Sequence, residues 1–75
     1  MIYGNQDIPS LVKEVRRQLG LSQEELAYAL GVSFATINRW ENGKTSPSKL
    51  ARTHLRMFCD QKSAQGLLAI DRGEK

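Results

Sequence analysis

The sequence predicts an all-α fold, a compact bundle of four to five short helices, and three observations carry that prediction. Apolar residues recur at helical spacing in several short segments. Those segments are bracketed by capping residues, with glycine closing the first two and an Asn-Gly pair the third. The single cysteine, Cys59, excludes an internal disulfide, and no CxxC or Cys/His cluster offers a structural zinc. A chain of 75 residues is one domain at most, near the lower limit for folding without staples, so its stability must come from packed helices.

Residues 1–7 are expected to form a flexible N-terminal arm. Pro9 suits the first turn of a helix, with Asp7 or Ile8 as its cap. Ile8, Leu11, Val12, Val15 and Leu19 then follow helical spacing, and Gly20 provides a left-handed C-cap. The next segment, SQEELAYALG, opens with the S-x-x-E capping box of Ser22 and Glu25. Leu26, Ala27 and Leu30 make its buried stripe, and Gly31 closes it. Val32 alone separates Gly31 from the next cap, Ser33, so two helices must turn sharply about that glycine. A third helix is expected from Phe34 to about Asn42, ended by Asn42-Gly43. A fourth is expected with Ser46 as cap and Pro47 at its first position, its inner face formed by Leu50, Ala51, His54, Leu55 and Phe58. The main domain spans residues 8–62. Residues 63–75 form a tail, read as a short helix or a dimerisation segment, in which Gly66 interrupts Leu67, Leu68 and Ile70.

The third helix has an unusual face. At about 100° per residue, Ile37, Trp40 and Glu41 share one sector with Phe34 at its margin, while Ala35, Asn38, Arg39 and Asn42 gather opposite. The first sector suits a core. The second is a small, hydrogen-bonding surface that suits the major groove of B-DNA: Ala35 and Thr36 allow close approach, and Arg39 can reach guanine O6 and N7 with two parallel hydrogen bonds. Charge agrees with that reading. The net charge is +3, but between Ser33 and Cys59 five basic residues (Arg39, Lys44, Lys49, Arg52, Arg56) face one acid, Glu41. A solvated cationic surface is the competing explanation; a polyanionic partner, nucleic acid before membrane, is the sharper one.

Over LSQEELAYALGVSFATINRWENGKTSP the chain resembles the helix-turn-helix of the Cro/C1 (XRE) regulators, the lambda-type phage repressors and their bacterial relatives. The likeness is sharp from Arg16 to Pro47. It joins Gln23, Leu26-Ala27, Leu30-Gly31-Val32, Ile37 and Trp40-Glu41-Asn42-Gly43-Lys44 in one register. The resemblance implies that Phe34, Ala35, Thr36 and Arg39 read bases. It implies backbone contacts from Ser22, Gln23, Ser33, Asn38, Asn42, Gly43, Lys44 and Lys49, and a structural salt bridge between Arg16 and Glu41. Phe34 departs from the polar residue that many members carry there; it either meets a thymine methyl or tucks toward the second helix. The oligomerisation domain of the larger repressors has no counterpart in these residues.

Catalysis is not expected. One histidine, one cysteine, no glycine loop for phosphate and no convergent acids offer a reaction centre. No metal, cofactor or small-molecule substrate is implied, and His54 and Cys59 read as packing residues. No apolar run approaches the ~18 residues of a membrane span, and neither a secretory signal nor paired cysteines appear, which points to a cytoplasmic location. The leading expectation is a small prokaryotic or phage transcriptional regulator on double-stranded DNA, dimeric on a palindromic operator. The alternatives are a DNA-targeting module of a longer protein such as a DNA methyltransferase, and a toxin-binding antitoxin that autoregulates.

Overall fold

A computed structural model describes residues 7–69. Residues 1–6 of the expected arm, and the tail from Ile70 onward, lie outside the described residues; Asp7, the last residue of that arm, instead caps the first helix. Within them the chain forms four helices: α1 (Ile8–Leu19), α2 (Gln23–Leu30), α3 (Phe34–Glu41) and α4 (Lys49–Ala64).

Local signals start and stop the first three helices. Asp7 caps α1, its carboxylate accepting from the Ser10 amide at 2.8 Å. Ser22 and Glu25 form the reciprocal capping box of α2, with bonds of 2.8 and 3.0 Å. Ser33 caps α3 by accepting from the Thr36 amide at 3.1 Å. Between α2 and α3 the chain reverses at Gly31, whose φ of 75° lies in the left-handed region that favours glycine. The Val32 amide bonds back to the Ala27 carbonyl at 3.0 Å, and the Val32 side chain packs against the core.

The core gathers Leu11, Val12 and Val15 of α1, Leu26 and Ala27 of α2, Ile37 and Trp40 of α3, and Leu55 and Cys59 of α4. The helix α3 packs against both α1 and α2, and α4 packs against α2. Trp40 is therefore a core residue, and its ring is unavailable as a stacking platform.

The fourth helix differs from the sequence expectation. Its cap is Ser48, which accepts from the Ala51 amide at 3.2 Å, and not Ser46. Pro47 is buried in front of the cap instead of serving as the first helical residue. Two serines flank that proline, and the second of them takes the cap. The inner face is also rotated from the expected one. Leu55 and Cys59 are its buried residues, with Ala51 and Phe58 beside them. Leu50, about 140° round the helix from Leu55, is 67% exposed, and His54 is exposed as well.

The tail differs too. Beyond α4 no further helix appears among the described residues; Gly66 (φ 77°) turns the chain back, and Leu68 enters the core at 6% exposure. Gln18 of α1 holds the following residue by both groups of its amide: Oε1 accepts from the Ala69 N–H at 2.8 Å and Nε2 donates to the Ala69 carbonyl at 2.9 Å. Leu68 thus belongs to the fold. Met57 and Leu67 remain exposed.

Candidate nucleic-acid interface

The centre of the site is a buried carboxylate. Glu41, at the end of α3, is 4% exposed. Arg16 of α1 donates to it twice, Nε to Oε2 at 2.6 Å and Nη2 to Oε1 at 3.0 Å, a bidentate fork. Its remaining Nη1 donates to the Leu21 carbonyl at 3.1 Å, in the turn before α2. One guanidinium therefore joins α1, the α1–α2 turn and α3. Its hydrogen bonds, and after them the Gln23 amide, hold the Glu41 carboxyl below the ordinary glutamate range against the opposing effect of burial. Among the described residues no buried side-chain nitrogen or oxygen lacks a partner.

Around this anchor lie the residues singled out for bases. Ala35 and Arg39 are exposed on α3, and Thr36 is half-buried with its hydroxyl sharing a 2.9 Å hydrogen bond with Ser33. Phe34 is 50% exposed, leaving part of its ring free to meet another surface. Asn42, Gly43, Lys44 and Lys49 are exposed between the end of α3 and the start of α4. The Lys44 amide bonds to the Arg39 carbonyl at 2.9 Å, so the loop that carries the lysine is pinned to α3.

Several residues expected to meet the DNA backbone also have work inside the protein. Ser22 and Ser33 are caps. Gln23, half-buried, donates from Nε2 to Glu41 Oε1 at 2.9 Å and accepts from Asn38 Nδ2 at 3.3 Å. Asn38 in turn accepts from Asn42 Nδ2 at 3.1 Å. This line of amides was not foreseen from the sequence. Its signal was present: a carboxylate has about four acceptor positions, and the inward Glu41 needed donors beyond Arg16.

The sequence matches the helix-turn-helix family HTH_3 over residues 12–50. This chain belongs to that family of DNA-binding domains. The match spans α1 to the start of α4, and the two helices joined at Gly31 are the helix-turn-helix itself. Over 62 residues the chain is 34% identical to an HTH-type transcriptional regulator of Methanothermobacter thermautotrophicus, covering 83% of this chain and 90% of that protein. It is 49% identical over 47 residues to the type II methyltransferase M1.ScrFI of Lactococcus lactis subsp. cremoris, and 44% identical over 45 residues to the type II methyltransferase M.SsoII of Shigella sonnei. Those alignments cover 59% and 56% of this chain, but it spans 12% of each methyltransferase. No solved structure matches the chain. Among the described residues no group of three or more His, Cys, Asp or Glu side chains could hold a metal ion, and no helix is long and apolar enough to cross a membrane.

Proposed function

We propose that this helix-turn-helix protein is a sequence-specific transcriptional regulator whose α3 enters the major groove of duplex DNA. The observation that carries the reading is the outward face of α3, where exposed Ala35 and Arg39 stand beside half-exposed Phe34 while the opposite face is locked into the core. Phe34, Ala35, Thr36 and Arg39 read base edges: Arg39 pairs with a guanine, and Phe34 meets a thymine methyl. Ser22, Gln23, Ser33, Asn38, Asn42, Gly43, Lys44 and Lys49 face the sugar-phosphate backbone and fix register. One recognition helix reads few base pairs, so the protein acts in the cytoplasm as a homodimer on a palindromic operator, with half-sites about 34 Å apart. These residues are assigned to binding and none of them to catalysis.

A second reading is supported by the two methyltransferases, whose identity to this chain exceeds that of the regulator. In it the same face guides a longer DNA-modifying protein to its site. The near-complete alignment with the regulator favours the first reading.

Duplex binding followed by fluorescence anisotropy across a salt series tests the DNA reading. Phosphate contacts release counterions, and the expected log–log slope is about −3 to −6 per bound unit. A flat response, or no binding to any genomic fragment at low salt, refutes it. A footprint of two half-sites one helical turn apart supports the dimer; protection of one half-site by a monomer favours the module of a longer chain.

A further inference from the structure

Three amide side chains run in line from the buried Glu41 carboxylate to the exposed end of α3. Gln23 donates to Glu41, Asn38 donates to Gln23, and Asn42 donates to Asn38. Every link points the same way, N–H toward the carboxylate and C=O away from it. The direction is imposed chemically. An ionised carboxylate only accepts hydrogen bonds, so Gln23 must turn its NH2 group to Glu41 and its oxygen to Asn38. Asn38 must then give its NH2 group to Gln23 and its oxygen to Asn42. Without the anion each amide could face outward with either end. With it, the oxygens of Gln23 and Asn38 each accept one bond from within the chain, and each NH2 group has a second N–H that these bonds do not use.

We propose that Glu41 is a positioning residue for DNA binding, setting the direction of this amide chain so that the second N–H of Gln23, at the end held by the carboxylate, is the group offered to a phosphate beside the start of α2. A phosphodiester presents acceptors alone to a protein, and a reversed amide would bring lone pair against lone pair. The helix-positioning bridge with Arg16 is thus also an orienting device for the side chains next to it. The proposal rests on the DNA-binding reading above.

The test compares the unaltered protein with Glu41→Gln and Arg16→Lys, all at a temperature where each is folded. Glu41→Gln keeps the shape but removes the group that forces the direction; Arg16→Lys perturbs the bridge and keeps the carboxylate. Two measurements are made: the side-chain amide signals of Gln23, Asn38 and Asn42 by NMR, and affinity for a short mixed-sequence duplex at low salt. Glu41→Gln is expected to shift all three amide signals and to weaken binding about three- to tenfold, the scale of one or two lost hydrogen bonds. Arg16→Lys is expected to leave those signals in place and to hold binding within about twofold. If Glu41→Gln does not fold, Gln23→Met removes the first link without touching the bridge, and the Asn38 signal should move. Amide signals indifferent to both variants, or equal loss of binding in Glu41→Gln and Arg16→Lys, would overturn the proposal. Failure of the unaltered protein to bind any duplex while the amide signals respond would overturn the DNA reading, and the phosphate role with it, leaving the direction of the chain intact.

Discussion

At the scale of single residues, position on α3 separates two kinds of contact. Arg39 is exposed on the face of α3 proposed to enter the groove, so Arg39→Ala is expected to cost about 1–3 kcal/mol on the correct site and to relax preference at one base pair. Lys44 lies in the loop beyond α3, and Lys44→Ala should weaken all duplexes alike. Competition binding with a site and its scrambled version checks the division; equal proportional losses in both variants would remove it. Arg16 and Glu41 were legible as a pair because the family motif carries them in register. Truncating either leaves a partly buried charge, expected to cost about 2–4 kcal/mol. In a double-mutant cycle the pair should lose less than the sum of the single losses, and strict additivity would contradict the observed contact. The same bridge predicts acid sensitivity. Glu41 titrates lower in the folded chain than its ordinary value of 4.5. Its contribution is therefore complete above that value and disappears as pH falls through the lowered folded one. Glu41→Gln should flatten this part of the stability-pH curve, as read by thermal melts.

At the scale of elements, the first three helices were readable because their boundaries are local. Asp7, Ser22 and Ser33 each satisfy an amide three residues on, an interaction spelled out within four consecutive residues. The start of α4 was not readable in that way. Ser46 and Ser48 both precede plausible first turns; the cap is Ser48, with Pro47 buried in front of it. Ser48→Ala is expected to cost about 1 kcal/mol, a fall of about 4–8 °C in Tm. Ser46→Ala should leave Tm nearly unchanged. Equal shifts in the two melts would argue against the cap as placed. The buried face of α4 differs from its most apparent apolar stripe for a related reason: Leu50, His54 and Phe58 follow helical spacing, yet Cys59 behaves as a small hydrophobe and the buried sector centres on it and Leu55.

At the scale of the molecule, the tail contributes to the fold it follows. Leu68 is in the core and Gln18 clamps Ala69, whereas Leu67 points outward. Leu68→Asp should therefore destabilise the domain by about 3 kcal/mol or more, since it places a carboxylate in an apolar core. Leu67→Asp should leave the melt almost unchanged. If these outer apolar residues pair two protomers, Leu67→Asp would instead lower operator affinity and shift sedimentation toward monomer. The two substitutions, one residue apart, separate a core role from an interface role.

The sequence by itself determined the helical class, the sharp turn at Gly31, the inward Trp40 and Glu41, and the outward Ala35 and Arg39. Each of these depends on spacing within one helix or on a cap a few residues away. Tertiary structure alone decided where α4 begins, which of its faces is buried, that Leu68 returns to the core, and that Gln23, Asn38 and Asn42 line up behind Glu41. Those outcomes depend on which helices meet. A hydrogen bond from α2 to the end of α3 has no spacing of its own in the chain, and the direction of an amide is settled only when a buried anion from another element stands at one end of it.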